Sequence, residues 1–234
     1  MLLTFQMLSI LTYLPSIPDK IPAISDPRFQ KMFSQDCVVK LWESFSSLLQ
    51  LCPQNVLQTL EFLEPTNPVV VQVLYHFFKE LRESQEHPHH LAELAQLLVR
   101  GLSVSQTSVL VLYLSSILNA LPVVGSLFDF SKLIPRIVSL VQSENFAEEE
   151  VTFGPFTKKL GSGSYIKELC LKVLQQLIPY LPSFDQHRHE YILALRHSHG
   201  SEPSVFNQGI LLTSELVESG LISLLHDGLR RCIR

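Results

Sequence analysis

Apolar residues return every three to four positions along almost the whole chain, whereas strict polar and apolar alternation is nearly absent. A period of 3.6 gathers such residues on one face of a helix, so the pattern restricts the chain to an all-α fold. Short punctuation separates the stripes. Asp36 precedes CVVKLWESFSSLLQL, where Val38, Leu41, Trp42, Phe45, Leu48 and Leu49 share a face. Pro53 opens a helix with Val56, Leu57, Leu60 and Leu63 inward. Asn67 and Pro68 repeat this cap-then-proline device before VVVQVLYHFFKEL, and HPHH leads into Leu91, Leu94, Leu97 and Leu98.

Further along, Ser105 or Thr107 is expected to cap a helix over 109–121 that ends near Pro122, and Ser131 to cap KLIPRIVSLVQ. From Glu144 to Ser164 the helical stripe disappears, leaving an exposed loop of acidic, Gly, Pro and Ser punctuation. Helical spacing resumes over 165–181, where the apolar positions are too many for one narrow seam, so this helix should pack on both sides. Asp185 is expected to cap QHRHEYILALRHS, and two more helices follow over 205–219 and 221–232. Roughly ten helices on short loops cannot each bury an apolar face alone; stacking antiparallel pairs into an α-solenoid solves this. The expected organisation is one continuous array, with N-terminal helical repeats over 1–143, the loop over 144–164, and C-terminal helical repeats over 165–234.

Composition narrows the function classes. The chain has 234 residues, 46% of them hydrophobic and 17% charged, enough apolar material to fill a large core or to await a partner. A net charge of −4 offers no general attraction to phosphate backbones, which argues against direct nucleic-acid binding. The basic cluster Arg230, Arg231 and Arg234 is better read as complementing a helix C-terminus. Cys37, Cys52, Cys170 and Cys232 are scattered with no Cys-x-x-Cys pair, which fits a reducing intracellular compartment, cytoplasm or nucleus, rather than a disulfide framework. Two apolar stretches raise a membrane reading. Residues 2–14 lack a basic leading region and a cleavage site, and 101–128 carries several Ser, Gln and Asn residues; a buried helix suits the second better than a span.

No stretch carries a catalytic frame. Leu160-Gly-Ser-Gly-Ser-Tyr165 resembles the start of a protein-kinase glycine loop, but Ile166 occupies the third glycine position and the other kinase motifs are missing. Histidines cluster as His87, His89 and His90, and as His187, His189, His197 and His199 with Asp185 and Glu190; His-x-His spacing on a helix points the rings to different faces, so solvated helix ends are expected and no metal site. Cys170, between Leu169 and Leu171, reads as a small core residue. The Leu-x-x-Leu-Leu strings at 94–98 and 221–225 read as core stripes rather than receptor-docking helices. No cofactor is implied.

The segment NQGILLTSELVESGLISLLHDG over 207–228 resembles the second and third helices of an armadillo repeat, through its LVESGLISLL core. The resemblance implies that Gly220 ends one helix and permits the sharp turn into the next. Earlier segments show the paired rhythm of HEAT-like repeats. The leucine- and serine-rich texture also resembles the large helical-repeat meiosis inhibitor proteins, which would imply a role in starting meiotic recombination. Met1 lies directly inside an apolar run, which suits a fragment or short isoform of a longer solenoid.

These readings converge on a non-enzymatic protein–protein interaction scaffold, with a helical membrane-associated protein or a histidine-site enzyme as alternatives. The expected partner contact is the segment containing Glu148, Glu149, Glu150, Phe153, Phe156, Lys158 and Lys159, which breaks the helical pattern and runs acidic to basic.

Overall fold

The computed structural model describes residues 68–83, 90–105, 107–143, 149–153, 156–160, 163–199 and 201–221, with single positions at 54, 57, 60, 61, 65 and 146. The helices expected before residue 54 and after residue 221 lie outside the described residues. The described fold is helical, with seven α-helices: α1 (Pro68–Glu83), α2 (Leu91–Gly101), α3 (Thr107–Val124), α4 (Ile134–Gln142), α5 (Ser164–Leu177), α6 (Arg188–His199) and α7 (Pro203–Glu218). Short 3-10 turns lead into α4 and α6 and follow α5. Between α4 and α5 lies one antiparallel hairpin, β1 (Glu149–Phe153) and β2 (Phe156–Leu160).

Packing runs between elements two apart. α1 lies on α3, α3 on α5 and α5 on α7, while α4 lies on α6. Neighbours in sequence tie these rows together, as α2 meets α3, α4 meets α5, and α6 meets α7. α3 sits between α1 and α5, which explains its apolar sequence: Leu110, Val111, Leu114, Ile117, Ala120, Leu121 and Val124 are all buried. Among the described residues no helix is long and apolar enough to cross a membrane. α5 is buried on several sides as its crowded stripe requires, with Leu169, Cys170, Leu171, Val173, Leu174 and Leu177 inside.

Two close approaches fix these packings. Tyr113 of α3 lies against Gly101 at the end of α2, where a Cβ would fall 2.0 Å from a ring atom, and its hydroxyl donates to the Pro65 carbonyl at 2.8 Å. Burial raises the Tyr113 phenol well above its ordinary range, against the pull of nearby Arg100. Tyr191 of α6 is likewise buried and donates to the Leu174 carbonyl at 2.8 Å, tying α6 to α5. Across α5 and α7, Gln208 donates to Gln175 at 2.8 Å, satisfying a buried amide.

Several local expectations need correction. α3 does not stop near Pro122 but continues to Val124; Pro122 is exposed in the last turn, where one missing backbone bond is tolerated. That helix starts at Thr107 itself, with Ser105 outside it. Ser131 is not the cap before α4. Asp129 accepts from the Ser131 backbone N–H at 3.0 Å and from its hydroxyl, capping a 3-10 turn over Phe130–Leu133 that precedes the α-helix. Asp185 makes no cap either, because another 3-10 turn, Phe184–His187, is interposed before α6. Gly220 does end α7: at φ +72° it places its N–H on Val217 O and the Leu221 N–H on Leu216 O, a Schellman turn.

Candidate partner-binding surface

The segment read as an exposed loop over 144–164 contains a β-hairpin. Val151, Thr152, Phe153, Phe156 and Thr157 favour extended backbone, and Gly154-Pro155 separates the two strands. Of the seven residues read as the contact, Glu149, Glu150 and Phe153 fall on β1 and Phe156, Lys158 and Lys159 on β2; Glu148 lies outside the described residues. The register sets Glu150 opposite Lys159 and Phe153 opposite Phe156.

β1 runs beside α3. At the hairpin base, Gly163 adopts φ +65° and a Cβ there would lie 2.5 Å from the ring of Phe146, which packs on the core. The glycine of the kinase-like string thus serves a tight turn into α5.

The remaining candidates scatter. His187 is partly buried in the 3-10 turn before α6, and His189, His197 and His199 are exposed along that helix, with His199 against Phe206 at 5.7 Å between ring centroids. His187 Nδ1 and Glu190 Oε2 are buried one turn apart with no hydrogen-bond partner among the described residues. His90 pairs with Glu93 at 3.5 Å at the start of α2, while His87 and His89 lie outside the described residues. Among the described residues no group of three His, Cys, Asp or Glu could hold a metal ion. Leu94, Leu97 and Leu98 are core residues, as their stripe suggested.

Comparison with protein-family models, with curated proteins and with solved structures finds no match for this chain. The surface must therefore be read from its own geometry. What it offers is an antiparallel hairpin beside a helical body.

Cys170 offers no nucleophile, since complete burial pushes its thiol far above the ordinary range and keeps it protonated. In a variant with Cys37, Cys52 and Cys232 changed to serine, a chromogenic disulfide reagent is expected to label Cys170 only after unfolding. Labelling of the native chain at the unfolded rate would contradict this.

Sequence reasoning missed two features. The hairpin carried a signal in the two-residue period of Glu150 to Phe153. The outward face of α7, where Phe206, Ile210, Leu211 and Val217 are exposed, carried none that separates it from a core stripe.

Proposed function

We propose that this chain is a non-enzymatic protein–protein interaction scaffold, built as an armadillo- or HEAT-like α-solenoid of roughly ten helices. The observation that carries this reading is the packing of every second helix, α1 on α3 on α5 on α7, with α4 on α6 in a second row. Stacked pairs of that kind bury their apolar faces on neighbours and leave an extended surface for a partner. The partner is a protein, gripped as an extended peptide or a helix. The hairpin is the preferred contact, because it interrupts the run of helices and gathers Glu149, Glu150, Phe153, Phe156, Lys158 and Lys159 on two short paired strands.

The cytoplasm or nucleus is the proposed location, on the dispersed cysteines. A place in a larger complex, such as the meiotic recombination machinery, is the process the texture of the chain suggests.

The test is affinity purification of the tagged chain from soluble and membrane fractions, followed by mass spectrometry. Recovery of a stable soluble protein partner would support the scaffold reading; recovery only with membranes would overturn it. A variant with residues 149–160 replaced by a Gly-Ser linker is expected to keep its circular dichroism spectrum and lose at least about tenfold in affinity for that partner, or ~1.4 kcal/mol. Equal binding by the deletion variant would remove the hairpin from the contact.

A further inference from the structure

Where the chain enters α6, two polar atoms are shut away from water with nothing to bond. His187 closes the 3-10 turn Phe184–His187, and Glu190 lies in the first turn of α6. His187 Nδ1 and Glu190 Oε2 are both buried without a hydrogen-bond partner among the described residues. At i and i+3 on a helical path, the two side chains are neighbours. Burying an unmatched polar atom works against folding, so two of them at one junction require a reason. In a neutral imidazole one ring nitrogen donates and the other accepts, whereas both donate once the ring takes a second proton; an ionised carboxylate only accepts. One added proton therefore makes His187 Nδ1 a charged donor, the complement of Glu190 Oε2.

We infer that His187 is a proton-operated clamp, whose imidazolium joins Glu190 and Asp129 and so fastens the turn before α4 to the start of α6. Asp129 stands at the head of that turn, and α4 packs on α6. The Asp129 carboxyl is held below the ordinary carboxylate range chiefly by the Ser131 hydroxyl, with the Ser131 N–H, Lys132 and His187 adding to this against slight desolvation. It therefore keeps its negative charge at pH values where histidine gains a proton. The other charged groups around the junction are exposed or otherwise engaged. Beside it in sequence, Asp185 and His189 are exposed and Arg188 is half-buried. On the α4 side, Lys132 is exposed and Arg136 donates to the Leu102 carbonyl at 2.9 Å. On α5, Lys172 pairs with Glu168 at 2.6 Å; on α7, Glu215 accepts from Gln175 at 3.5 Å and Glu218 from Ser214 at 3.4 Å. That leaves Glu190 Oε2, within one helical turn, as a buried acceptor that nothing else claims. Two carboxylates that meet the imidazolium only in the folded chain make the clamp stabilising in acid, and the stabilisation is lost as the ring gives up its proton.

The experiment is urea unfolding of the full chain at about pH 5.5 and about pH 8, where free histidine is mostly charged and mostly neutral. Relative to His187→Gln, wild type is expected to gain at least about fivefold in its folding equilibrium constant at the acid value. Glu190→Gln should lose most of that gain, while His189→Gln, at an exposed neighbour, keeps it. Nitrogen NMR of wild type with isotope-labelled histidine gives a second reading that needs no variant to fold. In acid, one imidazole should carry protons on both nitrogens, with the Nδ1 proton protected from exchange because that atom is buried. Three results would overturn the inference: the same pH response in wild type and His187→Gln, a Glu190→Gln chain that keeps the gain, or no imidazole with a protected Nδ1 proton in acid.

Discussion

Replacing Leu114 by alanine is expected to destabilise the fold by ~2–5 kcal/mol, the largest effect of any single truncation proposed for this chain. Leu114 is fully buried near the middle of α3, and α3 is the helix on which α1, α2 and α5 all lie. Losing the isobutyl group removes apolar burial and leaves a cavity that three packed neighbours cannot all close. A domain of this size with ordinary stability of about 5–15 kcal/mol would remain folded but sit much nearer its transition. The midpoint of thermal unfolding, followed by circular dichroism, should fall by on the order of 10 °C. A shift of only a degree or two would mean that Leu114 does not lie in a closely packed interior.

The second large effect is expected at Gly101, where alanine would ordinarily be the better helix former by up to ~1 kcal/mol. Here the sign should reverse. The added methyl would fall 2.0 to 2.3 Å from three ring carbons of Tyr113, a rigid side chain that is itself buried. Either the ring moves, breaking its hydrogen bond to Pro65 and opening a void, or α2 moves away from α3. Overpacking of this kind costs ~1–3 kcal/mol, and a stranded hydroxyl adds to it. Urea denaturation of Gly101→Ala and Tyr113→Leu, alone and together, checks the cause: the penalty of the glycine change should shrink when the ring is gone. Equal penalties in both backgrounds would point away from the Tyr113 contact.

Much of the helical fold was legible because its determinants are local. Pro68 opens α1 where the cap-then-proline device placed it, and Pro203 to Glu218 forms a helix close to the span read from apolar spacing. The caps expected at Ser131 and Asp185 were misread for a shared reason. A 3-10 turn stands before each α-helix, so the residue at the start of the apolar stripe is not the one that enters the helix. The hairpin escaped because its strands are five residues long, and Lys158 beside Lys159 interrupts the alternation on the second strand.

Read in the sequence, the contact surface was a set of residue types without a geometry. That Glu150 is paired with Lys159 along the backbone follows only from strand register, which the turn and both strands set jointly. The exposed seam of α7 shows the opposite difficulty. Phe206, Ile210 and Val217 have the periodicity of a core stripe, and periodicity reports that a face is apolar without reporting what covers it.

The skipping pattern of helix contacts also bears on how the protein is made. Each of α3, α5 and α7 rests on the odd-numbered helix before it, and α6 rests on α4. Apart from α4, which waits for α5 and α6, each of these helices finds a packing surface already synthesised, and none of the contacts must wait for the far end of the chain. Growth can proceed largely as a series of landings on finished ground, which limits the interval in which apolar surface is open to misassembly.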